Sequence, residues 1–319
     1  MTIAWVIGGN GLLGSALSSA IQRTETRLFL PAERFRWSSE SDVTVQLEVA
    51  VKAFATLIGA EANWQIYWAA GIGTMGSIEA DLVIETLMLS KLLSFIESQP
   101  TLIATEGCFA FASSAGAIYA GATDDIINEN TSVAPTTAYG HEKLKQESLI
   151  SAFVIKHRRV TALFARISTL YGPGQATGKQ QGLIAEIARR ILRNQPIQIY
   201  VPFDTIRDYI TATDAAFTIL TTMRAISGKS GIVVKIVASE QSTTIAEIIS
   251  AYKKIARRKP RIVTSASKLS SIYNRRIQFN SLVCLANERS SRTSLFVGIA
   301  QVMTAERSAF AQSRNKSYL

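Results

Sequence analysis

The sequence predicts an α/β protein: a doubly wound parallel sheet with helices on both faces, followed by a smaller C-terminal α/β lobe. Three observations carry this. The chain opens on a short apolar strand that runs straight into a glycine-rich turn and a helix. Apolar strands then alternate with helical segments as far as about residue 168. Beyond that point turn-rich breaks interrupt the pattern. With 319 residues, 47% of them hydrophobic, the chain can bury two domains, or one large domain with a lobe attached.

Taken in order, Ile3-Ala4-Trp5-Val6-Ile7 is the first strand, apolar throughout as a strand buried on both faces must be. Gly8-Gly9-Asn10-Gly11-Leu12-Leu13-Gly14 follows, then a helix to about Gln22 and a second strand at Leu28-Phe29-Leu30. Glycines at this spacing permit a tight turn, close approach of backbone to a pyrophosphate, and close helix–strand contact. The helix start then offers free N–H groups and a partial positive charge to phosphates. Gly8, Gly11, Leu12, Leu13 and Gly14 are therefore candidate dinucleotide-binding residues. Further strands are Gln65–Ala69, Phe109–Ala112 and Thr161–Ala165, with helices at about 43–59, 79–98 and 137–157. A soft boundary near residue 168 separates a dinucleotide-binding domain, 1–168, from a mainly substrate-binding lobe, 169–319. Parts around 204–228 are expected to pack back on the first domain. In the lobe the pattern gives a helix from Gly178 to Asn194 and a strand over Ile197–Val201. A helix over Thr211–Ala225, a strand over Gly231–Ala238 and a basic helix over Thr244–Arg257 follow. The end of the chain carries no legible pattern.

The composition removes several classes of function. No apolar run is long enough for a membrane span, and the N-terminus has no basic n-region or signal-peptide pattern. Two cysteines, Cys108 and Cys284, both in apolar surroundings, read as free thiols in a reducing cytoplasm. Two histidines and two scattered cysteines make a metal site improbable. Of the net charge of +10, the excess sits at the end: residues 253–319 hold 14 of the 34 Lys and Arg but 2 of the 24 Asp and Glu. Without aromatic interleaving or a helix-turn-helix pattern, a nucleic-acid role is disfavoured. An anionic metabolite fits the charge better.

The chemistry centres on Tyr139-Gly140-His141-Glu142-Lys143. Residues four apart share one helix face. An ammonium beside a phenol favours the phenolate, so Lys143 is expected to lower the Tyr139 pKa from ~10 toward working pH. Such a phenol exchanges a proton with a hydroxyl that becomes a ketone, or the reverse. The pair gains weight from Ser113 and Ser114, which end the strand about 25 residues upstream. His141 is expected to face away.

As a set these residues resemble the extended short-chain dehydrogenase/reductase family, the NAD-dependent epimerase/dehydratase group, over residues 1 to about 260. The motifs are the GxxGxxG turn; Trp68-Ala69-Ala70-Gly71; Phe111-Ala112-Ser113-Ser114-Ala115-Gly116-Ala117-Ile118-Tyr119; the YxxxK pair; Arg166-Ile167-Ser168-Thr169-Leu170-Tyr171-Gly172-Pro173-Gly174; and Arg207-Asp208-Tyr209-Ile210. The resemblance implies a Rossmann-type sheet and an enzyme that moves a hydride at a carbon of a nucleotide-activated sugar. Ser114, Tyr139 and Lys143 are the implied catalytic residues, with Ser113 the alternative to Ser114. Tyr139 and Lys143, with Ala69, Ala70 and Gly71, join the glycine turn in holding NAD(P). Ser113, Ser114, Thr169, Arg207 and Arg276 are the implied substrate contacts, with Arg275 and Arg292 as further candidates. Thr169 stands where the family usually has Asn.

In Leu30-Pro31-Ala32-Glu33-Arg34-Phe35-Arg36 no acid falls where a ribose 2′-hydroxyl would be held, and Arg34 tilts the reading to NADP over NAD. Ala115 and Gly116 replace the Asp-Glu pair of a 4,6-dehydratase, which disfavours dehydration and leaves C4 epimerisation or ketoreduction. The resemblance also implies a homodimer built through helices 79–98 and 137–157. The other reading of the same fold is a non-catalytic NAD(P)-binding redox sensor or scaffold.

Overall fold

The computed structural model describes residues 1–59, 62–175, 182–257, 260–265, 276–283 and 292–316. Its centre is a six-stranded parallel sheet in the order β2-β1-β3-β4-β5-β9. These strands are β1 (Thr2–Ile7), β2 (Arg27–Phe29), β3 (Asn63–Trp68), β4 (Gly107–Ser114), β5 (Val160–Ile167) and β9 (Gly231–Val237). The parallel sheet expected from the alternation of strands and helices is thus present. Its order reverses at β1, whose neighbours are β2 and β3. In an open sheet of this kind, ligands bind beyond the carboxyl ends of the strands at that reversal.

The first, third and fourth strands are mostly apolar because both faces are covered. On one face lie α2 (Glu40–Ile58), α3 (Glu79–Glu97), the short α4 (Pro100–Ala104) and α6 (Ala138–Lys156), which share a core with Trp5, Trp64, Phe109 and Phe111. On the other lie α1 (Leu12–Ile21) and α8 (Ala212–Ile226), around Leu17, Tyr67, Leu163, Ile219 and Met223. The chain after residue 168 therefore re-enters the large sheet: α8 covers one face and β9 pairs with β5 in parallel register. One-turn α5 (Ala115–Ile118) joins the end of β4 to the loop before α6.

The smaller lobe contains a three-stranded sheet of β6 (Thr169–Tyr171), β8 (Ile206–Thr211) and β10 (Ser242–Thr244), in the order β10-β8-β6. A two-stranded parallel pair joins β7 (Ile197–Ile199) to β11 (Ile262–Thr264). Helices α7 (Leu183–Leu192), α9 (Ile245–Ala256) and α10 (Leu295–Lys316) bury Ile187, Ile248, Tyr252, Ile299 and Val302 together. A capping box between Thr244 and Glu247 starts α9 where the sequence expected a helix.

Three elements differ from expectation. The helix expected from Gly178 begins at Leu183, and residues 176–181 lie outside the described residues. Arg207-Asp208-Tyr209-Ile210, met first as a motif, is a strand whose Asp208 carboxylate takes hydrogen bonds from Ser168, Ser239 and the Gln241 backbone. The end of the chain, illegible in sequence, carries a helix of 22 residues. It is anchored at its start by Thr293, which donates to Asp214 of α8 through backbone N (2.9 Å) and hydroxyl (3.0 Å). Among the described residues, no helix is long and apolar enough to cross a membrane.

Candidate active site

The glycine turn lies at the carboxyl end of β1, at the reversal of strand order. Gly8 has φ +87°, and a Cβ built on it would lie 2.6 Å from the Ala69 carbonyl carbon. The turn and the Ala69-Ala70-Gly71 segment at the end of β3 are therefore packed backbone to backbone. A Cβ on Gly14 would lie 2.1 Å from the Gly8 oxygen, so α1 can meet the turn this closely only without a side chain there. Gly11 donates its N–H to Gly8 O at 2.9 Å and caps α1 with no side-chain acceptor. The first N–H groups of α1, Leu12 and Leu13 among them, thus face a surface built of backbone. Gly172, just past β6, comes close as well: a Cβ there would lie 3.5 Å from Leu12 Cδ1.

Tyr139 and Lys143 occupy the first turns of α6, which Thr137 caps by accepting from Gly140 N at 3.2 Å. Gly140 lets the helix start lie against α5, since a Cβ there would sit 2.7 Å from Ala117 O. Ser114, the last residue of β4, caps α5 by accepting from Ala117 N at 3.3 Å, and its hydroxyl lies near enough to the Tyr139 phenol to favour the ionised form. The Tyr139 ring lies beside the chain leaving β3, at 3.1 Å from where a Cβ of Gly73 would be. The structure so brings together Gly8–Gly14, Ala69–Gly71, Ser114, Tyr139 and Lys143. They hang from three different strands and one helix start.

Lys143 is buried, 5% exposed, and its amine points inward. Nζ donates to Gln146 Oε1 at 3.1 Å and stands 4.9 Å from the Phe111 ring centre and 5.6 Å from that of Tyr139. Behind it the Gln146 amide donates to Thr86 Oγ1 at 3.0 Å, and Thr86 donates to Glu142 at 2.5 Å. This polar layer joins α3 to α6.

The electrostatics run against one expectation. The Tyr139 pKa is raised, first by burial and second by the Glu85 carboxylate, with the Ser114 hydrogen bond working the other way. The Lys143 pKa is lowered by burial, opposed by Glu85 and Glu147. An acidified phenol required the ammonium to face it in a solvated setting. Here the amine is held by Gln146, and desolvation penalises both charged forms. The pair is therefore poised as neutral phenol with a proton to give.

Ser113 and Ser114 face opposite sides of the strand end. The Ser113 hydroxyl, offered by the sequence as a substrate contact, is buried and donates to Glu147 Oε1 at 2.7 Å. Glu147 also accepts from Arg166 Nε (3.1 Å) and Nη2 (2.7 Å), and Arg166 Nη1 donates to the Tyr119 hydroxyl at 2.6 Å. Sequence reasoning missed this buried ion pair. Its signal was Arg166 itself, a cation inside the otherwise apolar run Leu163–Ile167.

The remaining candidates stand apart from that cluster. Arg34 is exposed in the loop after β2 and receives Gln46 on its carbonyl. Thr169 is exposed at the start of β6. Arg207, half-buried on β8, donates from Nη1 to Ile206 O at 2.8 Å. Arg276 is exposed, and Arg275 lies outside the described residues. Arg292 is paired with Glu240 at 3.4 Å and donates to Ser239 O, holding the base of α10. Burial pushes the Cys108 thiol up to about 12; Cys284 lies outside the described residues. His141 is exposed.

Residues 4–236 match the model of the NAD dependent epimerase/dehydratase family. The chain belongs to that family. It is 34% identical over 110 residues to the dTDP-4-dehydro-6-deoxyglucose reductase of Escherichia coli, a match that spans 34% of each chain. The segment so matched is therefore about a third of the length of that curated relative. In shape the fold follows MoeE5, solved with UDP-glucose and NAD (TM-score 0.77, 19% identity, 97% of this chain and 100% of that one). It also follows RMD from Pseudomonas aeruginosa, complexed with NADPH (TM-score 0.75, 20% identity, the same shares). At these identities the likeness establishes the fold of this family member and nothing finer.

Proposed function

We propose that this protein is an NAD(P)-dependent oxidoreductase or epimerase acting at C4 of a nucleotide-activated sugar. One observation carries the reading: Tyr139, with the buried Lys143 amine 5.6 Å from its ring centre, lies against the chain leaving β3 and near Ser114 at the end of β4, beside the glycine turn at the reversal of strand order. Reductase chemistry on a dTDP sugar in the curated relative supports the substrate class.

The residues present fit a dinucleotide. The cradle formed by Gly8, Gly11 and Gly14 is space that a Cβ would fill, and the uncapped start of α1 offers N–H groups to a diphosphate. Ala69, Ala70 and Gly71 continue that wall, and Tyr139 with Lys143 closes its far end. When bound, the nicotinamide gives a hydride to a sugar carbon or takes one from it. Tyr139 moves the proton on the same oxygen, Ser114 orients that oxygen, and the Lys143 ammonium lies beneath the Tyr139 ring. A phenol that keeps its proton suits donation to a carbonyl oxygen, which favours ketoreduction over epimerisation. Exposed Arg34 beyond β2 favours NADP over NAD. Thr169, Arg207 and Arg276 are the proposed contacts to the sugar nucleotide, with Arg207 gripping its diphosphate; Ser113 is removed from that set by its bond to Glu147.

Self-association is part of the proposal. Val83, Ile84 and Leu87 of α3 and Ile155 of α6 are exposed apolar side chains on two helices that pack together, and a homodimer through these helices would cover such side chains. A reducing, cytoplasmic setting suits the buried thiol of Cys108.

The test is turnover. Purified protein with reduced NAD(P) and a dTDP-4-keto-6-deoxy sugar is expected to lose the near-ultraviolet absorbance of reduced nicotinamide, and Tyr139→Phe to slow this about 100-fold or more. Cofactor binding without oxidation by any keto-sugar nucleotide would favour the sensor reading instead.

A further inference from the structure

Glu85 has a place in this site that neither the motifs nor the family description assigns. It lies on α3 three residues after Leu82, on the helix face turned toward the site. Its Oε1 accepts the backbone N–H groups of Ile72 at 2.5 Å and Gly73 at 2.6 Å. Oε2 stands 3.0 Å from where a Cβ of Gly71 would be. The segment so gripped is the one that leaves β3 at the glycine turn and lies beside the Tyr139 ring. Among the described residues the partners of this carboxylate are backbone amides, not a cation, and its negative charge acts on the cluster.

We propose that Glu85 is a positioning residue of the active site: its carboxylate clamps the Gly71–Gly73 turn against Tyr139 and presents a fixed negative charge to the Tyr139–Lys143 pair. The proposal rests on the reading of Tyr139 and Lys143 given above. The groups around the pair can be named from each element. Glu85 comes from α3, the Ser114 hydroxyl from the end of β4, and the uncharged Phe111 ring from within β4. Gln146, Glu147 and Glu142 come from α6 itself. Glu147 is neutralised by Arg166 of β5, and Glu142 is engaged by Thr86 and Lys145. Glu85 is thus the acid in this set without a cationic or side-chain partner. Its charge acts in one direction on both members. It holds the proton on the phenol and it holds the proton on the amine. A site so biased rests in its protonated form, the state from which a ketone oxygen is protonated during reduction.

Glu85→Gln separates clamp from charge, because the amide oxygen still accepts from Ile72 and Gly73 while the charge is gone. Glu85→Ala removes both. The Lys143 side chain is followed by carbon-13 NMR of lysine Cε, its resonance assigned by loss in Lys143→Arg. The expected result is a Lys143 midpoint about one pH unit lower in Glu85→Gln than in the parent chain. The alkaline limb of the turnover profile is expected to move the same way. Hydrogen exchange at Ile72 and Gly73 is expected to stay slow in Glu85→Gln and to quicken at least tenfold in Glu85→Ala. An unchanged Lys143 midpoint in Glu85→Gln overturns the charge role, and unchanged exchange in Glu85→Ala overturns the clamp. Should Glu85→Ala not fold, faster exchange at both amides in a Glu85→Leu chain supports the clamp and slow exchange there overturns it. Both readouts are independent of turnover. An inactive parent chain with a shifted Lys143 would refute the enzymatic reading and leave Glu85 in its place.

Discussion

Removing Glu147 tests how the site is held from beneath. The carboxylate is buried with its partner, the side chains of Arg166 and Glu147 being 9% and 6% exposed. It accepts two hydrogen bonds from Arg166 and one from Ser113, and so ties β5 and the end of β4 to the helix that carries Tyr139. Glu147→Leu leaves the Arg166 guanidinium buried with Tyr119 as its remaining partner and the Ser113 hydroxyl without an acceptor. Breaking a buried pair by taking one member costs about 3–5 kcal/mol. Unfolding entropy of ~2.1 cal/mol/K per residue over 319 residues converts this to roughly 5–8 °C in Tm. The double variant Glu147→Leu with Arg166→Met removes both charges and is expected to recover most of the loss, to within about 1–2 kcal/mol. With Arg166→Met alone as the second single variant, urea unfolding followed by fluorescence of the buried Trp5, Trp64 and Trp68 gives the four free energies of the cycle. Single variants that each cost less than about 1 kcal/mol, with no coupling between them, would mean that the pair behaves like a solvated surface bridge. The account of the buried layer would then be wrong.

Two further outcomes follow from geometry and burial. Gly14→Ala places a methyl group 2.1 Å from the Gly8 oxygen, and is expected to lose about 1–3 kcal/mol of stability and at least tenfold in NAD(P)H affinity by fluorescence titration. Gly116→Ala, where the added Cβ meets no atom within 4 Å, is the control and should leave the unfolding midpoint within about 0.5 kcal/mol. Stability is also expected to fall on the alkaline side. Cys108 is pushed up to about 12, and burial raises Tyr67 and Tyr252 above the ordinary phenol value. Groups whose folded pKa lies above the unfolded value stabilise fully below about pH 8.5 for the thiol and about pH 10 for the phenols, and that stability is lost as pH rises further. A urea midpoint that is flat from pH 8 to about 11 would contradict this.

Much of the architecture could be read from local pattern. An apolar strand, three glycines three apart and a helix start are contiguous in sequence, so the first βα unit was legible. So was the face that Tyr139 shares with Lys143, which helix periodicity alone fixes. Whatever depends on partners distant in sequence was not. Glu147 meets Arg166 and Ser113 across 19 and 34 residues, and Glu85 meets the turn after β3 across 12 and 13. The direction of the Tyr139 shift failed for the same reason. Spacing places an amine near a phenol, but it does not report that both are desolvated or that Gln146 holds the amine. The C-terminal helix escaped notice because its apolar side is narrow, Ile299, Val302 and Met303 among many polar residues, and a stripe that thin becomes visible only against the α7 and α9 it covers.

The central claim is that Tyr139 moves the proton while a nicotinamide beside it moves the hydride. It is tested most directly by a single turnover. Protein loaded with reduced NAD(P) is mixed with a dTDP-4-keto-6-deoxy sugar, and the absorbance of the bound reduced nicotinamide is followed. A reductase consumes it, and so does an epimerase whose cofactor has been trapped in the reduced state. Rapid bleaching in the parent chain, slowed about 100-fold or more in Tyr139→Phe, is the predicted result. Bleaching at the same rate in both would contradict the account.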